Sequence, residues 1–275
     1  MTPGVEAIDT HAHVFRRGLP VVADARYVPD GDARLADWLS LMDASGVSHG
    51  VLVQVSFLGT DNAHLLEALD AAGGRLRATV QCAPGTPAAT LAAWHRRGVR
   101  GVRLNTIGAT RRPDLGTAEW RAHLARIADL GWHVEVHDEG EGLQAMLAGL
   151  AGCPAAIVVD HFGYPGQPAG YEAMLRCAER QAVYVKLSAP YRLGGADPAR
   201  WAGELLSALG PRRLMWGSDW PHTRHEGRQD YAALRRELAT WVPDASSRRT
   251  ILRDTPVALF GFDAAPVDAP AIGLP

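Results

Sequence analysis

Two histidines one residue apart, His11 and His13, close the first apolar run of the chain. In an extended strand alternate side chains share a face, so both imidazoles point the same way. Burying such a pair is costly unless a ligand or proton partner answers it, which makes it a candidate for polarising an oxygen or holding a metal ion. Later apolar runs also end in polar residues: Gln54 and Ser56, Arg103 and Asn105, His137, His161, Ser188 and Asp219. These residue types can serve one reaction. A carboxylate takes a proton from water, imidazoles stabilise the oxyanion formed when that water attacks a carbonyl, and guanidinium groups hold an anionic substrate.

Taken singly, each has a plainer reading. A histidine on a helix or turn is usually a packed or surface side chain, and His49, His64, His95 and His123 are read so. Asp219, within Trp216-Gly-Ser-Asp-Trp-Pro-His222, could cap the turn before Pro221; Arg103 could belong to an ordinary ion pair, and Arg111 and Arg112 to a solvated loop. Their shared position at the ends of apolar runs is what packing alone does not explain.

The order of the elements can bring those ends together. Short β-branched runs at 7–13, 50–55, 77–82, 99–105, 133–137, 156–161, 183–188 and 214–219 alternate with amphipathic stretches at 35–44, 64–72, 88–97, 120–130, 143–150, 171–180 and 200–209. Gly46, Gly73, Gly98, Gly131 and Gly210 fall where helices should stop. Strand then helix, repeated, predicts one α/β domain over residues 1–262, a distorted (β/α)8 barrel, followed by a loosely ordered tail at 263–275. An open doubly wound sheet is the alternative, and the lack of a G-x-G-x-x-G turn after the first strand weighs against it. In a barrel the polar strand ends converge on the C-terminal mouth.

Composition excludes several classes. With 275 residues, 47% hydrophobic and 21% charged, the chain can fill one large core. Its 28 Lys+Arg against 30 Asp+Glu give a net charge of -2, without the cationic excess that nucleic-acid binding needs. No secretory leader opens the sequence and no apolar run is long enough to cross a bilayer, so we expect a cytoplasmic protein with no membrane partner. Cys82, Cys153 and Cys177 lack C-x-x-C spacing and read as reduced thiols. Nothing in the sequence indicates an oligomeric state. Lys186 is the only lysine. Counting back by two from Ser188 and from His137 places Lys186 and Glu135 inside the barrel, and an interior ion pair within about 4 Å is predicted, since buried charges are rarely left unpaired.

At its strand ends the chain resembles the amidohydrolase superfamily, in particular the amidohydrolase-related branch of 2-pyrone-4,6-dicarboxylate hydrolase-like lactonases. The resemblance runs over nearly the whole chain. It is carried by Ile8-Asp-Thr-His-Ala-His13, Gln54-Val-Ser-Phe-Leu-Gly-Thr-Asp-Asn62, Arg100-Gly-Val-Arg-Leu-Asn105, Gly131-Trp-His-Val134, Val158-Val-Asp-His-Phe-Gly163, Val185-Lys-Leu-Ser188, Pro190-Tyr-Arg192 and Trp216-Gly-Ser-Asp-Trp-Pro-His222. It implies a barrel that hydrolyses a lactone, with an aspartate ending the eighth strand as water activator, histidines about the carbonyl and arginines on substrate carboxylates. Binuclear members place a carbamylated lysine on the fourth strand, where this chain has Arg103 and Asn105, so a two-metal centre is not expected. Metal-free members carry a tyrosine where this chain has His137. A histidine there completes a possible mononuclear set of His11, His13, His137, His161 and Asp219, zinc being the expected ion if one is bound.

The resulting expectation is a hydrolase that opens a small lactone bearing at least one carboxylate, 2-pyrone-4,6-dicarboxylate-like or muconolactone-like, in aromatic compound catabolism. Asp219 is the expected base; His161, His11 and His13 polarise the carbonyl, directly or through one divalent ion. Arg103 and Arg192, with Arg111 or Arg112 from the loop, grip the carboxylate, and Ser56 and His222 orient it. A mononuclear zinc-dependent hydrolase or non-oxidative decarboxylase is the enzymatic alternative. A non-catalytic carboxylate-binding barrel is the alternative of another class.

Overall fold

A computed structural model describes residues 4–23 and 25–262; the expected tail at 263–275 lies outside them. Eight parallel strands follow one another in chain order: β1 (Ile8–Ala12), β2 (His49–Val53), β3 (Leu76–Val80), β4 (Val99–Asn105), β5 (His133–His137), β6 (Ile157–Val159), β7 (Val183–Ser188) and β8 (Leu214–Gly217). Helices α1 (Leu35–Ala44), α2 (Ala63–Ala71), α3 (Ala88–Arg97), α4 (Ala118–Asp129), α5 (Gly140–Gly149), α6 (Pro168–Ala178), α7 (Pro198–Leu209) and α8 (Tyr231–Trp241) alternate with them. The predicted (β/α)8 barrel is the fold of the chain. None of the described helices is long and apolar enough to cross a membrane.

The helix starts follow local chemistry. The Thr117 hydroxyl accepts from Trp120 N ahead of α4, and the Asp197 carboxylate from Ala199 N ahead of α7, answering donors that the first turn leaves unpaired. Pro168 and Pro198 occupy first-turn positions, where a missing N–H costs nothing. The strands are buried on both faces, as β-branched runs between helices should be. Beneath the barrel, Val257, Phe260 and Phe262 pack against Ile8, Val51, Val158 and Met215 and close its N-terminal end.

β1 and β8 form no regular ladder, and their seam is closed by other means. Asp219 N donates to His11 O at 2.8 Å and His13 N to Trp220 O at 2.8 Å. Asp9, fully buried, takes hydrogen bonds at Oδ1 from Ser218 N (2.9 Å) and His11 N (3.2 Å). Its Oδ2 accepts from Ser218 Oγ (2.6 Å), Trp38 Nε1 (3.1 Å) and Tyr231 Oη (3.1 Å). One carboxylate thereby ties the first strand to the last strand and to two outer helices. Gly217 is required here: a Cβ on it would lie 2.7 Å from His11 Cβ.

The strand ends differ from expectation in an informative way. β6 was expected to run to His161 and β8 to Asp219, but they stop at Val159 and Gly217. His161 (φ 52°) and Asp219 (φ 59°) have already turned into the left-handed region. So have Phe162, Tyr164, Ala189, His222 and Arg224, all after β6, β7 or β8. Each such residue costs roughly 1–3 kcal/mol, and their concentration at the mouth marks where the backbone is bent to aim side chains.

Candidate active site

Asp219 is the hub of the mouth. Its Oδ2 accepts from Tyr191 Oη at 2.6 Å and from Arg192 Nε at 3.1 Å. Its Oδ1 faces three imidazoles, with Nε2 of His11 and of His13 each 3.5 Å away and Nε2 of His161 at 3.9 Å. Burial alone would raise this carboxyl, but His161, Arg192, His13 and His11 hold it well below the usual carboxylate range. Two of the imidazoles are shifted downward as well. Burial, chiefly, lowers His161 to about 3 and His11 to about 4, so near neutral pH each ring carries one proton.

The rear nitrogens of these rings are held. His13 Nδ1 donates to Val53 O at 2.7 Å, and His161 Nδ1 meets Ser188 Oγ at 2.8 Å. His11 Nδ1 has Lys186 Nζ at 3.1 Å and Asp160 Oδ1 at 3.3 Å. His13, His161, Asp219 and Arg192 line a cavity of about 340 Å³ together with Ser56, Asn105, Tyr164, Arg26 and Arg224. His11 lies beneath it, fully buried.

The expected interior ion pair is present: Lys186 Nζ lies 2.6 Å from Glu135 Oε2. It is part of a larger buried cluster. Arg103 Nη2 donates to Asp160 Oδ2 at 3.0 Å, Arg103 Nε is 3.5 Å from Glu135 Oε1, and Lys186 Nζ is 3.6 Å from Asp160 Oδ1. Two cations face two carboxylates in a place that water does not reach. Gly101 makes room for the same layer, since a Cβ there would strike the His133 ring 2.2 Å away.

Several sequence expectations need correction. Arg103, expected to hold substrate, is mostly buried: it lines the cavity, and its guanidinium also donates to Gln54 O (3.1 Å), Asp160 Oδ2 (3.0 Å) and His137 Nδ1 (3.0 Å). His137 does not join the histidines around Asp219; its Nδ1 accepts from Arg103 and its Nε2 pairs with Tyr164 Oη at 2.9 Å. The five-residue ligand set is therefore not assembled about one point. Neither loop arginine reaches the cavity: Arg112 makes a bidentate pair with Asp138 (2.6 and 3.0 Å), and Arg111 is exposed. His222 packs edge-on against Tyr191, behind the cavity wall.

The sequence reading missed Asp160, Tyr191, Arg26 and Arg224. Asp160 had a visible signal, a carboxylate directly before His161 at the end of an apolar run. Arg26 and Arg224 had none, because they stand on loops whose course depends on tertiary packing. Arg26 Nη2 donates to Asn105 Oδ1 at 2.9 Å and its guanidinium passes over Gly108, where a Cβ would lie 3.2 Å from Nη1.

Among the described residues, three groups are close enough to hold one ion: His11, His161 and Asp219; His137, Asp160 and His161; and His11, Glu135 and Asp160. In the first, Asp219 Oδ1 lies 3.5 and 3.9 Å from the two Nε2 atoms, near the separation of about 3.4 Å expected for tetrahedral ligands about 2.1 Å from an ion. The other two draw on carboxylates already paired with Lys186 and Arg103.

Comparison with known proteins agrees with this geometry. Residues 8–262 match the family model described as amidohydrolase. A 2-pyrone-4,6-dicarboxylate hydrolase of Comamonas testosteroni is 30% identical over 276 residues, spanning 92% of this chain and 90% of that protein. A 4-sulfomuconolactone hydrolase of Rhizobium radiobacter is 30% identical over 269 residues, spanning 93% and 90%. A Pseudomonas putida crystal structure, described as a candidate 2-pyrone-4,6-dicarboxylic acid hydrolase, superposes with a TM-score of 0.87 at 43% identity, covering 96% of this chain and 100% of that one.

Proposed function

The chain belongs to the amidohydrolase family, and from that premise we propose that it hydrolyses a small lactone bearing a carboxylate. One observation carries this reading. Asp219 turns one carboxylate oxygen to three imidazole nitrogens within 3.5–3.9 Å, at the base of a cavity rimmed by guanidinium groups.

Asp219 Oδ2 already accepts from Tyr191 and Arg192, so Oδ1 is the oxygen free to meet water. The water gives its proton to Oδ1 as its oxygen bonds to the ring carbonyl carbon. His161, on the cavity wall with its Nδ1 held by Ser188 Oγ, turns an Nε2–H to the resulting oxyanion. The carbon to ring-oxygen bond then breaks and the ring oxygen takes the proton back from Asp219, leaving an acyclic hydroxy or keto acid. The low proton affinity of Asp219 makes it a modest base but a ready acid for this second step. Arg192 keeps Nη1 for a substrate carboxylate, its Nε and Nη2 being bonded to Asp219 and Thr223 O (2.8 Å). Arg26, Arg224, Asn105 and Ser56 complete the rim.

A second reading has a specific observation behind it. His11, His161 and Asp219 have the spacing of ligands about one divalent ion, zinc by donor type. Such an ion supplies a Lewis acid and lowers the pKa of water, serving hydrolysis or a non-oxidative decarboxylation. A lactone panel that includes the pyrone dicarboxylate and muconolactones, assayed with and without chelator, separates the two. Turnover that survives chelation supports the first; turnover that vanishes and returns with zinc supports the second; no turnover of any lactone rejects lactone hydrolysis under either.

A further inference from the structure

We propose that Lys186 is a positioning residue that holds His11 in the tautomer with its proton on Nε2, so that His11 turns an N–H toward Asp219 and not the bare nitrogen of a metal ligand. The role given to the donor rests on the lactonase reading; the tautomer itself does not.

An ammonium group has three protons and no lone pair. Lys186 is fully buried, points one proton at Glu135 Oε2 (2.6 Å) and has His11 Nδ1 3.1 Å away. It can only donate, so Nδ1 must accept, and a neutral imidazole that accepts at Nδ1 carries its proton on Nε2. The rival partner is Asp160 Oδ1, 3.3 Å from the same nitrogen. The ring and that oxygen are close but poorly aligned for a hydrogen bond, whereas the Lys186 contact has hydrogen-bond geometry. At the front of the ring, His11 Nε2 is likewise buried without a hydrogen-bond partner, 3.5 Å from Asp219 Oδ1. Buried polar nitrogens are seldom left so, and one aimed at the water-activating carboxylate is placed to steer it.

A histidine that binds metal is arranged the other way round: its rear N–H donates to a carboxylate or carbonyl, and the front nitrogen is bare. His13 obeys that rule through Val53 O. His11, two residues earlier on the same strand, has a cation where the acceptor should be. The first histidine of the pair is thereby withdrawn from metal binding by a residue three-quarters of the way around the barrel.

The test reads ring protons, not turnover. Protein labelled with 15N-histidine is examined by long-range 15N–1H correlation, which reports the protonated nitrogen of each ring, and the His11 signal is identified by its loss in His11→Gln. The expected result is a proton on Nε2 of His11 and on Nδ1 of His13. A proton on Nδ1 of His11 in the wild-type protein overturns the proposal. In Lys186→Met the proton should move to Nδ1, opposite Asp160, and zinc affinity measured by chelator competition should rise by about 10- to 100-fold, the usual size of such second-layer effects on a metal ligand. Because that variant leaves two buried carboxylates to share Arg103 alone, Lys186→Met/Glu135→Gln is measured beside it. A folded variant that keeps the Nε2 proton overturns the role of Lys186. Absence of lactone turnover would reject the proposed function and leave these spectra to stand alone.

Discussion

The floor and the rim of this barrel both carry arginine, with opposite consequences. On the floor, Arg103 and Lys186 are matched by Glu135 and Asp160, all buried and within 3.6 Å of a partner. On the rim, Arg26 and Arg224 line the cavity, and no carboxylate among the described residues lies within ion-pair distance of either. Partial burial, with repulsion from Arg103 beneath and then from Arg224, pushes the Arg26 guanidinium down from its ordinary value. A charge already answered holds structure, whereas a charge left open can hold a ligand.

The comparison makes graded predictions. Asp219→Asn, at the junction of the two regions, should lower kcat on a lactone by about 10²- to 10⁴-fold with unchanged circular dichroism, the ordinary yield of a positioned base. Near-normal turnover would remove Asp219 from the mechanism. On the floor, Glu135→Ala should cost about 3–5 kcal/mol in denaturant unfolding, because Lys186 is left without its nearest carboxylate in a dry site. A loss under about 1 kcal/mol would mean that water or Asp160 replaces the missing partner. On the rim, Arg224→Gln should raise KM for an anionic lactone by about tenfold, one charge-assisted contact, with no loss of stability. If it destabilises the fold instead, the division between floor and rim fails. The smallest effect belongs to Arg111→Ala, an exposed side chain that does not line the cavity: stability within about 0.5 kcal/mol and unaltered kinetics.

The barrel could be read from the sequence because each strand is a short β-branched run between helices, and period and count survive without knowledge of contacts. The pairing of Glu135 with Lys186 was legible for the same reason: side-chain direction in a strand is fixed by counting from a known end. What counting could not supply was the fate of a side chain once the strand had ended. Arg103 points inward as counted, yet it meets Asp160, whose own direction is set by the bend after Val159. His137 has the type and position of a ligand, but Arg103 and Tyr164 occupy both its nitrogens. Arg111 and Arg112 were as plausible for the rim as Arg26 and Arg224, and only the course of the loops separates them. The roles given to these residues in turnover remain a proposal that the variants above test.

The seam held by Asp9 has a bearing on how the molecule comes into being. His11 and His13 are made long before Asp219, and they meet it only when Ser218, 209 residues after Asp9, reaches that carboxylate. A nascent chain that lacks its eighth strand therefore owns the imidazoles but no acid to set against them. The pocket proposed for turnover is thus complete only after the eighth strand has been made and seated.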